Sequence, residues 1–584
     1  MKTITTLILL VCFSLIVVAQ ENYLTPFEQQ SNVTATYEET IAFYEELAAD
    51  FEELRLIEVG QTDVGRPLHL AVLTTDQDFT PERSRVNGKA ILFINNAIHP
   101  GEACGVDASM MLVRDFLTDA TLKAQLKNLT VVVIPFYNIG GGLNRNSTTR
   151  VNQDGPLSYG FRGNAQHLDL NRDFIKCDSR NAQSFNKIFT DWSPDVLIDN
   201  HTSNGADYQY TISLIATQHN KLEPQMAEYM NEKMLPFLYD YMEEVDWEMT
   251  PYVYAADTPD KGIAGFLDLP RYSSGYAALH NTFGFMPETH MLKPFEDRVQ
   301  STYSFMRGMI KYMSRNYKNI QSVRKQAYQS LRNTTKFPIN WELNLKKWDP
   351  LVFKGYEAKY KDSEISGKER LYYEREEPYE KSIRYYNYYN VSDSVRSPIA
   401  YIVPQAAYRV IERMKWNGVR MERLSEDTEL TVDVYYIKNY ETTDGPYEGH
   451  YLHSKVELES ETESVIFYKG DYVIYANQPA NRYIVETLEP RAPDSFFAWN
   501  FFDGILERKE YFSPYLFEES AKEILEFNSG IKEELEAKKK EDKDFAKDGI
   551  AQLRFIYERS EHSERNYNRY PVGRLMNFEL LELE

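Results

Sequence analysis

The chain has 584 residues, a formal net charge of −23 and a sequence isoelectric point near 5.1, with no block of basic residues. This balance argues against nucleic acid as a partner, because nucleic-acid-binding surfaces are basic. The aromatic content, which includes 43 tyrosines, argues against disorder over most of the length. A chain of this size is expected to form about two to four domains.

The first residues have the pattern of a secretory signal peptide. One lysine precedes an apolar run from Leu7 to Val18, and the small residue Ala19 follows. We therefore predict that residues 1–19 are a cleaved signal peptide and that the protein is secreted or periplasmic. No second apolar stretch of about 18 residues follows, so we expect no membrane span after cleavage. A retained N-terminal anchor is the alternative.

Helices and apolar strands alternate between residues 24 and 318. In chain order the predicted elements are the helix ATYEETIAFYEELAAD, the strands LRLIEVG, PLHLAVLT and ILFI, the helix DASMMLVRDFLTDATLKAQL, the strand LTVVVI, the helix SRNAQSFNKIFTDWS, the strand DVLID and the closing helix RVQSTYSFMRGMIKYMSRN. Short, continuous apolar strands between helices indicate an α/β fold. We predict a mixed, mostly parallel sheet that helices cover on both faces.

The remaining chain divides into a connection and a smaller module. Residues 319–396 are charged and rich in tyrosine, and we predict a connecting segment with short surface strands. Residues 397–584 have the pattern of an α+β module with a charged helix from about Glu518 to Lys547. His450 and His453 could suggest a metal site, but we expect an exposed strand there. The role of this module stays open.

The first candidate site follows the strand ILFI. His99 and Glu102 stand three positions apart around Pro100 and Gly101. Pro-Gly is typical of a turn, which places the pair on the loop that leaves the strand. Ligand sites tend to form at the carboxyl ends of such strands. An imidazole and a carboxylate held close together are two of the three protein ligands that a catalytic zinc needs.

His201 is the candidate for the third ligand. It ends the apolar strand that contains residues 196–198, and two strand ends of one sheet can converge. Two histidines and a glutamate with an open fourth position are typical of a hydrolytic zinc. A hydrogen-bonded surface histidine is the alternative for His201. Glu288 also follows an apolar run, in FGFMPETHM, and a carboxylate near zinc that is not a ligand is suited to be a general base.

Two arginines lie between these residues along the chain. Arg162 precedes Arg172 by ten residues, and Asn171 adjoins the second arginine. Two guanidinium groups close to a dication repel each other unless an anion joins them. The pattern therefore indicates a substrate that carries an anionic group.

These motifs, in this order, resemble the zinc metallocarboxypeptidases of the carboxypeptidase A type. The quoted features are HPGE, R-x-N-x4-D-L-N-R, DNH-T-S, a late glutamate after an apolar strand, and GQTDVGRPLHLAVL near the start. The resemblance covers roughly residues 24–318. It implies one zinc ion per chain, held by His99, Glu102 and His201, and a peptide substrate with a free C-terminal carboxylate. The oligomeric state stays open.

The resemblance also implies roles for the other candidates. Arg162 would polarise the scissile carbonyl and hold the oxyanion, and Asn171 with Arg172 would bind the terminal carboxylate. Glu288 would take a proton from the attacking water and pass it to the leaving amine. Tyr272 is similar to a mobile tyrosine that closes over substrate, although Tyr276 lies close by.

Some positions depart from the family pattern. Asp173 follows the Asn-Arg pair, where it could orient Arg172 or a metal ligand or cap a helix, and His290 is expected to be structural. Residues 277–279 contain no acid, so we infer no special preference for basic terminal residues. Cys104 and Cys177 could form a disulfide or be two small buried residues.

Two other functions remain open from the residues. A zinc amidase acting on cell-wall peptides or acylated amino acids would keep the metal and change the substrate. A carboxypeptidase-like binding protein would keep the cavity without turnover, although the residues for catalysis are all present.

Overall fold

The computed structural model describes residues 23–579 and 581–584. The predicted signal peptide, residues 1–19, lies outside the described residues. Within the part of the chain that is described, no helix is both long enough and apolar enough to cross a membrane.

A nine-stranded mixed sheet is the centre of the N-terminal half. The first ten strands are β1 (Leu54–Gln61), β2 (Pro67–Leu73), β3 (Ala90–Asn95), β4 (Leu129–Ile134), β5 (Val196–Asp199), β6 (His201–Ser203), β7 (Ile212–Ala216), β8 (Met249–Pro251), β9 (Ile263–Ala264) and β10 (Phe283–His290), of which β9 belongs to another sheet. The order is β1-β2-β4-β3-β5-β10-β7-β8, and β6 pairs with β10. Most neighbouring strands are parallel, which confirms the predicted mixed, mostly parallel sheet.

Helices cover both faces of this sheet, as predicted. The helices of this half are α1 (Pro26–Gln29), α2 (Tyr37–Asp50), α3 (Pro81–Val86), α4 (Cys104–Thr118), α5 (Ala120–Lys123), α6 (Ile139–Leu143), α7 (Arg180–Trp192), α8 (Pro224–Tyr229), α9 (Leu235–Glu244), α10 (Ser273–Leu279) and α11 (Phe295–Arg332). Strand β3 shows how the two faces are filled. Leu92 and Ile94 pack with α2, α4 and α11, whereas Ile91 and Phe93 pack with α7 and α10. Both sets are apolar because successive side chains of a strand point to opposite faces.

Helix α11 continues beyond the expected end of the domain. It runs to Arg332, so the boundary predicted at residue 318 lies inside a helix. Its last turns keep a buried stripe that includes Ile320 and Ala327. Arg324 on this stripe pairs with Asp195, the residue that precedes β5, at 2.6 Å.

The segment predicted as a connection forms β11 (Lys336–Leu343), β12 (Asp349–Asp362), β13 (Glu369–Tyr386) and β14 (Tyr389–Arg396). Two of these strands are long, where short strands were expected. Strands β12 and β13 form an antiparallel hairpin, and β13 also pairs with β9. The length of the hairpin strands was not predicted from the sequence, because most of their side chains are exposed or half-buried. Such strands show little alternation of apolar and polar residues.

The C-terminal module contains a six-stranded antiparallel sheet and five helices. The strands are β15 (Ala400–Val403), β16 (Glu422–Arg423), β17 (Thr428–Thr442), β18 (His453–Phe467), β19 (Tyr472–Tyr475) and β20 (Gly573–Leu575), and the helices are α12 (Tyr408–Trp416), α13 (Asn481–Leu488), α14 (Pro514–Phe527), α15 (Ser529–Glu541) and α16 (Gly549–Tyr557). The predicted charged helix is two helices. Asn528 separates them because its side chain accepts a hydrogen bond from the Ile531 amide and caps α15.

His450 and His453 do not lie on an exposed strand, so that prediction was wrong. His450 precedes β18 and donates to Asp178 of the N-terminal half at 2.7 Å, and His453 is buried at the first position of β18. The residues that join β17 to β18 fold back against the N-terminal half, which leaves His450 half-buried.

The module and the N-terminal half share one hydrophobic core. Phe93 and Leu197 of the sheet belong to the same cluster of buried residues as Phe497 and Trp499 of the module. We call this cluster the shared core. It means that the module covers part of one face of the nine-stranded sheet.

The shared core predicts that damage to the module destabilises the whole chain. Phe497→Ala removes a side chain that is 0% exposed and should lower the free energy of unfolding by about 3–5 kcal/mol. The matched control Phe527→Ala removes a side chain that is 91% exposed and should change it by less than about 0.5 kcal/mol. Guanidinium unfolding followed by fluorescence measures both. A separate module transition, with the rest of the chain unaffected, would contradict a shared core.

Candidate active site

A cavity of about 440 Å³ opens at the carboxyl ends of the central strands. Its walls include all eight residues that the sequence singled out, namely His99, Glu102, Arg162, Asn171, Arg172, His201, Tyr272 and Glu288. They come from five separate segments of the chain. The fold therefore brings every candidate residue to one place.

His99 and Glu102 lie in a turn between β3 and α4. The Glu102 amide donates to the His99 carbonyl at 2.8 Å, which is the turn that Pro100 and Gly101 predict. A Cβ atom at position 101 would lie 2.6 Å from Arg150 Cδ and 3.1 Å from the Gly160 carbonyl oxygen, so a larger residue there would displace the Arg150 side chain. The tight turn directs both side chains into the cavity.

His201 and Glu288 lie on neighbouring parallel strands. His201 begins β6, and Glu288 is its direct partner on β10. Residues that are directly paired in a sheet project to the same face. This register, which no local sequence pattern specifies, places the candidate base beside the candidate ligand.

The side chains of His99, Glu102 and His201 can hold a metal ion. Their potential ligand atoms lie within 4.8 Å of one another, and all three residues are buried. The Nδ1 atoms of His99 and His201 each lie 3.3 Å from one carboxylate oxygen of Glu102. His99 Nδ1 is buried without a hydrogen-bond partner in the structure. Two imidazoles and one carboxylate are a ligand set that fits a catalytic zinc, and the unpaired His99 Nδ1 faces the position that the metal would take.

Two aspartates hold the outer nitrogens of these histidines. His99 Nε2 donates to Asp169 at 2.7 Å, and His201 Nε2 donates to Asp199 at 2.8 Å. Each contact fixes the ring so that Nδ1 faces the centre of the triad, as second partners of zinc-binding histidines do. Neither aspartate was predicted from the sequence to have a role, although Asp169 belongs to the D-L-N-R motif and Asp199 precedes His201 by two residues.

Burial and neighbouring charges set the ionisation of the carboxylates. Burial opposes ionisation of Glu102, but His99 and Arg150 hold the pKa of Glu102 well below its usual range. Burial raises the pKa of Glu288 to about 8, and the Glu102 charge adds to this rise while His201 opposes it. A carboxyl group with such a pKa can take up and release a proton near neutral pH.

Arg162 bridges two acidic side chains at the rim of the triad. Its Nε donates to Asp169 at 3.0 Å, and its Nη1 donates to Glu102 at 3.2 Å. Arg150 also donates to Glu102, at 2.9 Å. Arg150 was not predicted from the sequence, because it lies in the irregular segment NSTTRVNQD far from any apolar strand.

Asn171 and Arg172 lie in the short 3-10 turn Leu170–Arg172. The Asn171 side-chain oxygen accepts from the Ser273 amide at 3.0 Å, so its NH2 group is the part left to bind a ligand. Arg172 packs its guanidinium 4.4 Å from the ring centre of Tyr272. Tyr276 instead lies in the core, where its hydroxyl donates to Asn417.

Asp173 is a structural residue of the neighbouring turn. It accepts hydrogen bonds from Lys176 and from the amide and hydroxyl of Ser179. It neither orients Arg172 nor contacts a metal ligand, but the Ser179 it holds is the residue that caps helix α7.

His290 is also structural, as predicted. Its Nε2 donates to the Ala206 carbonyl and its Nδ1 accepts from the Leu292 amide. Burial, with the charge of Lys293, lowers the pKa of His290 to about 4. The ring is therefore neutral near pH 7.

The two cysteines are not bridged. Cys104 and Cys177 are both buried as free thiols. Cys104 lies beside the hydroxyls of Thr202 and Thr289 beneath the cavity floor. The alternative of two small buried residues is the one that the structure supports.

Apolar and aromatic side chains line another part of the cavity. Met286 precedes Glu288 by two residues on β10 and so projects to the same face. Ile215 is its direct partner on β7, and Tyr252 and Phe266 complete this wall. The wall contains no acidic side chain.

The sequence profile of a family described as zinc carboxypeptidase matches residues 40–336, which is half of the chain. The chain belongs to the zinc carboxypeptidase family. This membership confirms the resemblance inferred from the motifs. It also agrees with the His99–Glu102–His201 triad, which could hold a metal ion.

Solved structures of zinc carboxypeptidases are similar over part of the chain. A metallo-carboxypeptidase from Burkholderia cenocepacia is 15% identical, with a TM-score of 0.37, and the match covers 48% of this chain and 69% of that one. Carboxypeptidase A from Helicoverpa armigera is 15% identical, with a TM-score of 0.38 and coverage of 54% and 80%. None of the curated proteins matches the chain. Family membership therefore rests on the sequence profile.

The aspartate contacts predict a change in zinc affinity. Asp199→Asn should keep the fold but weaken zinc binding by about 10–100-fold, because the amide no longer fixes the His201 ring as a carboxylate does. Chelator competition on the purified protein measures the affinity. Glu288→Gln is the control, and it should retain zinc. Equal affinity in wild type and Asp199→Asn would show that Asp199 does not orient a zinc ligand.

Proposed function

We propose that the protein is a zinc-dependent carboxypeptidase that hydrolyses the C-terminal peptide bond of peptides. One observation carries this proposal. A single cavity joins the His-Glu-His triad and Glu288 to the side chains of Asn171 and Arg172. An endopeptidase has no use for a pair of side chains that binds a terminal carboxylate, whereas a carboxypeptidase requires one.

Zinc, when bound, would supply the Lewis acidity that lowers the pKa of a water molecule and polarises the scissile carbonyl. Glu288 is positioned to accept a proton from the attacking water and to return it to the nitrogen of the leaving amine. Arg162 is positioned to donate to the oxygen that gains negative charge, and Asp169 holds its guanidinium in place.

Asn171 and Arg172 define the end of the substrate. The NH2 group of Asn171 and the guanidinium of Arg172 can together bind a terminal carboxylate, and a guanidinium can do so through two parallel hydrogen bonds. A chain that continued past this point would leave the cation of Arg172 without a partner. The cost of a desolvated, unpaired charge disfavours internal cleavage.

The apolar wall supports a preference for apolar or aromatic terminal residues. Ile215, Met286, Tyr252 and Phe266 would surround the last side chain of the substrate. Basic terminal residues would find no carboxylate there, which agrees with the inference drawn from residues 277–279.

We extend the proposal to metal content and location. One cluster of three such ligands is present among residues 23–579 and 581–584, which supports one zinc ion per chain. The signal peptide predicted for residues 1–19 supports action outside the cytoplasm.

The proposal predicts release of single C-terminal amino acids from N-blocked peptides. Glu288→Gln should lower kcat by about 10²–10⁴-fold, because proton transfer is lost, while zinc content stays unchanged. Mass spectrometry of a mixed peptide library measures the release. Peptides with an amidated C-terminus are the control and should stay intact. Cleavage confined to cell-wall amides or acylated amino acids would favour the amidase alternative.

The apolar wall predicts the effect of a charge placed in it. Ile215→Asp should lower kcat/KM for peptides that end in phenylalanine by about tenfold or more, because an unpaired carboxylate would face the apolar side chain. Ile215→Val is the matched control and should stay close to wild type. Unchanged kcat/KM in Ile215→Asp would mean that the last side chain binds elsewhere.

A further inference from the structure

The C-terminal module reaches the proposed substrate site through one loop. Residues 443–452 join β17 to β18, and we call them the hairpin tip. Tyr447, Glu448 and His450 of the tip each contact the segment of residues 168–178, which carries Asn171 and Arg172. Three hydrogen bonds from four consecutive positions indicate that the tip packs specifically against this segment.

Tyr447 contacts the proposed carboxylate-binding residue directly. Arg172 Nε donates to the Tyr447 hydroxyl at 3.1 Å, and Arg172 Nη1 donates to the Asn171 carbonyl at 2.7 Å. Arg172 Nη2 makes no hydrogen bond to any described residue. Because Nε donates to Tyr447 and Nη1 already donates to Asn171, Nη2 and the second N–H of Nη1 are the groups left to donate to a ligand.

Buried groups of both halves hold Tyr447 in turn. Its ring stacks on Trp499 at 6.0 Å with an interplanar angle of 18°. Arg271 packs over both rings, and Asp494 accepts from Arg271 and from the Trp499 indole. Tyr447 is therefore a fixed acceptor, not a freely rotating surface side chain.

Glu448 fixes the backbone of the same segment. Its carboxylate accepts from the Asp169 amide at 2.7 Å, two residues before Asn171. Glu448 also has a φ of 51°, in the left-handed region that a residue other than glycine enters at a cost. Such a conformation persists where surrounding contacts require it, and the contact with Asp169 is one that would.

We propose that the hairpin tip is a positioning element for substrate binding: Tyr447 orients Arg172, and Glu448 fixes the turn that carries it. The C-terminal module is then part of the substrate site and not an appended domain. This inference rests on the proposed binding of a substrate carboxylate by Arg172.

Tyr447→Phe tests the contact with Arg172. It removes one hydroxyl and should raise KM for N-blocked peptides about 3–10-fold, which is the range for one lost hydrogen bond, with kcat, zinc content and Tm unchanged. Asn481→Ala is the control, because it removes another contact between the two halves, to the Leu331 carbonyl. It should lower Tm without changing KM. Equal KM in wild type and Tyr447→Phe overturns the inference.

A double-mutant cycle separates this role from a general effect on packing. Arg172→Lys keeps the positive charge but has no Nε to donate. Tyr447→Phe in the Arg172→Lys background should therefore change KM less than twofold. The same loss in both backgrounds would show that Tyr447 acts independently of Arg172, and this also overturns the inference.

A pair of substitutions at Glu448 tests whether its side-chain oxygen is needed as a hydrogen-bond acceptor. Glu448→Ala removes the acceptor of the Asp169 amide and should raise KM, whereas Glu448→Gln keeps a carbonyl acceptor and should restore most of the wild-type value. Equal values for the two variants would contradict the positioning role of Glu448.

Binding measurements distinguish failure of this inference from failure of the proposed function. Calorimetry compares N-acetyl-phenylalanine with its C-terminal amide in wild type and in Tyr447→Phe. Weaker binding of the acid alone in the variant supports the inference, even if wild type hydrolyses no peptide and the proposed function fails. Equal binding of the acid by both proteins, or none by wild type, overturns it.

Discussion

The rest of the site depends on the hydrogen bonds that the Asp169 carboxylate accepts. One oxygen accepts from His99 Nε2 and from the Asn171 amide, and the other accepts from Arg162. Burial opposes the ionisation of Asp169, but His99 and the nearby guanidinium groups hold the pKa of Asp169 far below its usual range. A single buried charge thus fixes the candidate metal ligand His99, the proposed oxyanion donor Arg162 and the turn proposed to bind substrate. Such a group is retained only where all its hydrogen bonds are made.

The sheet supplies the second constraint. Parallel pairing of β6 with β10 places His201 directly opposite Glu288, and the pairing of β10 with β7 places Met286 opposite Ile215. The proposed base Glu288 and the apolar residue Met286 therefore lie on one face of a single strand, two residues apart. A shift of one residue in the register would turn Met286 and Glu288 to the opposite face of the sheet.

The C-terminal module contributes to both stability and the site. It fills the shared core on one face of the sheet, and it supplies the hairpin tip beside Arg172. The charges at this contact are paired rather than exposed. Asp178, for example, accepts from His450 and Arg413 of the module. The pairing explains how two halves of an acidic chain pack closely without repelling each other.

The amino-acid sequence by itself determined the local features of the protein. Short, continuous apolar strands, the Pro-Gly turn at residues 100–101 and the ordered motifs were sufficient for the fold class and for eight of the residues that line the cavity. Each of these signals lies within a few neighbouring residues. Only the tertiary structure decided that the Asp169 carboxylate accepts from His99, Asn171 and Arg162. The same is true of the hydrogen bond from the Asp169 amide to Glu448, 279 residues further along the chain. The physical reason is that such contacts depend on strand register and on the docking of the module, which no local periodicity encodes.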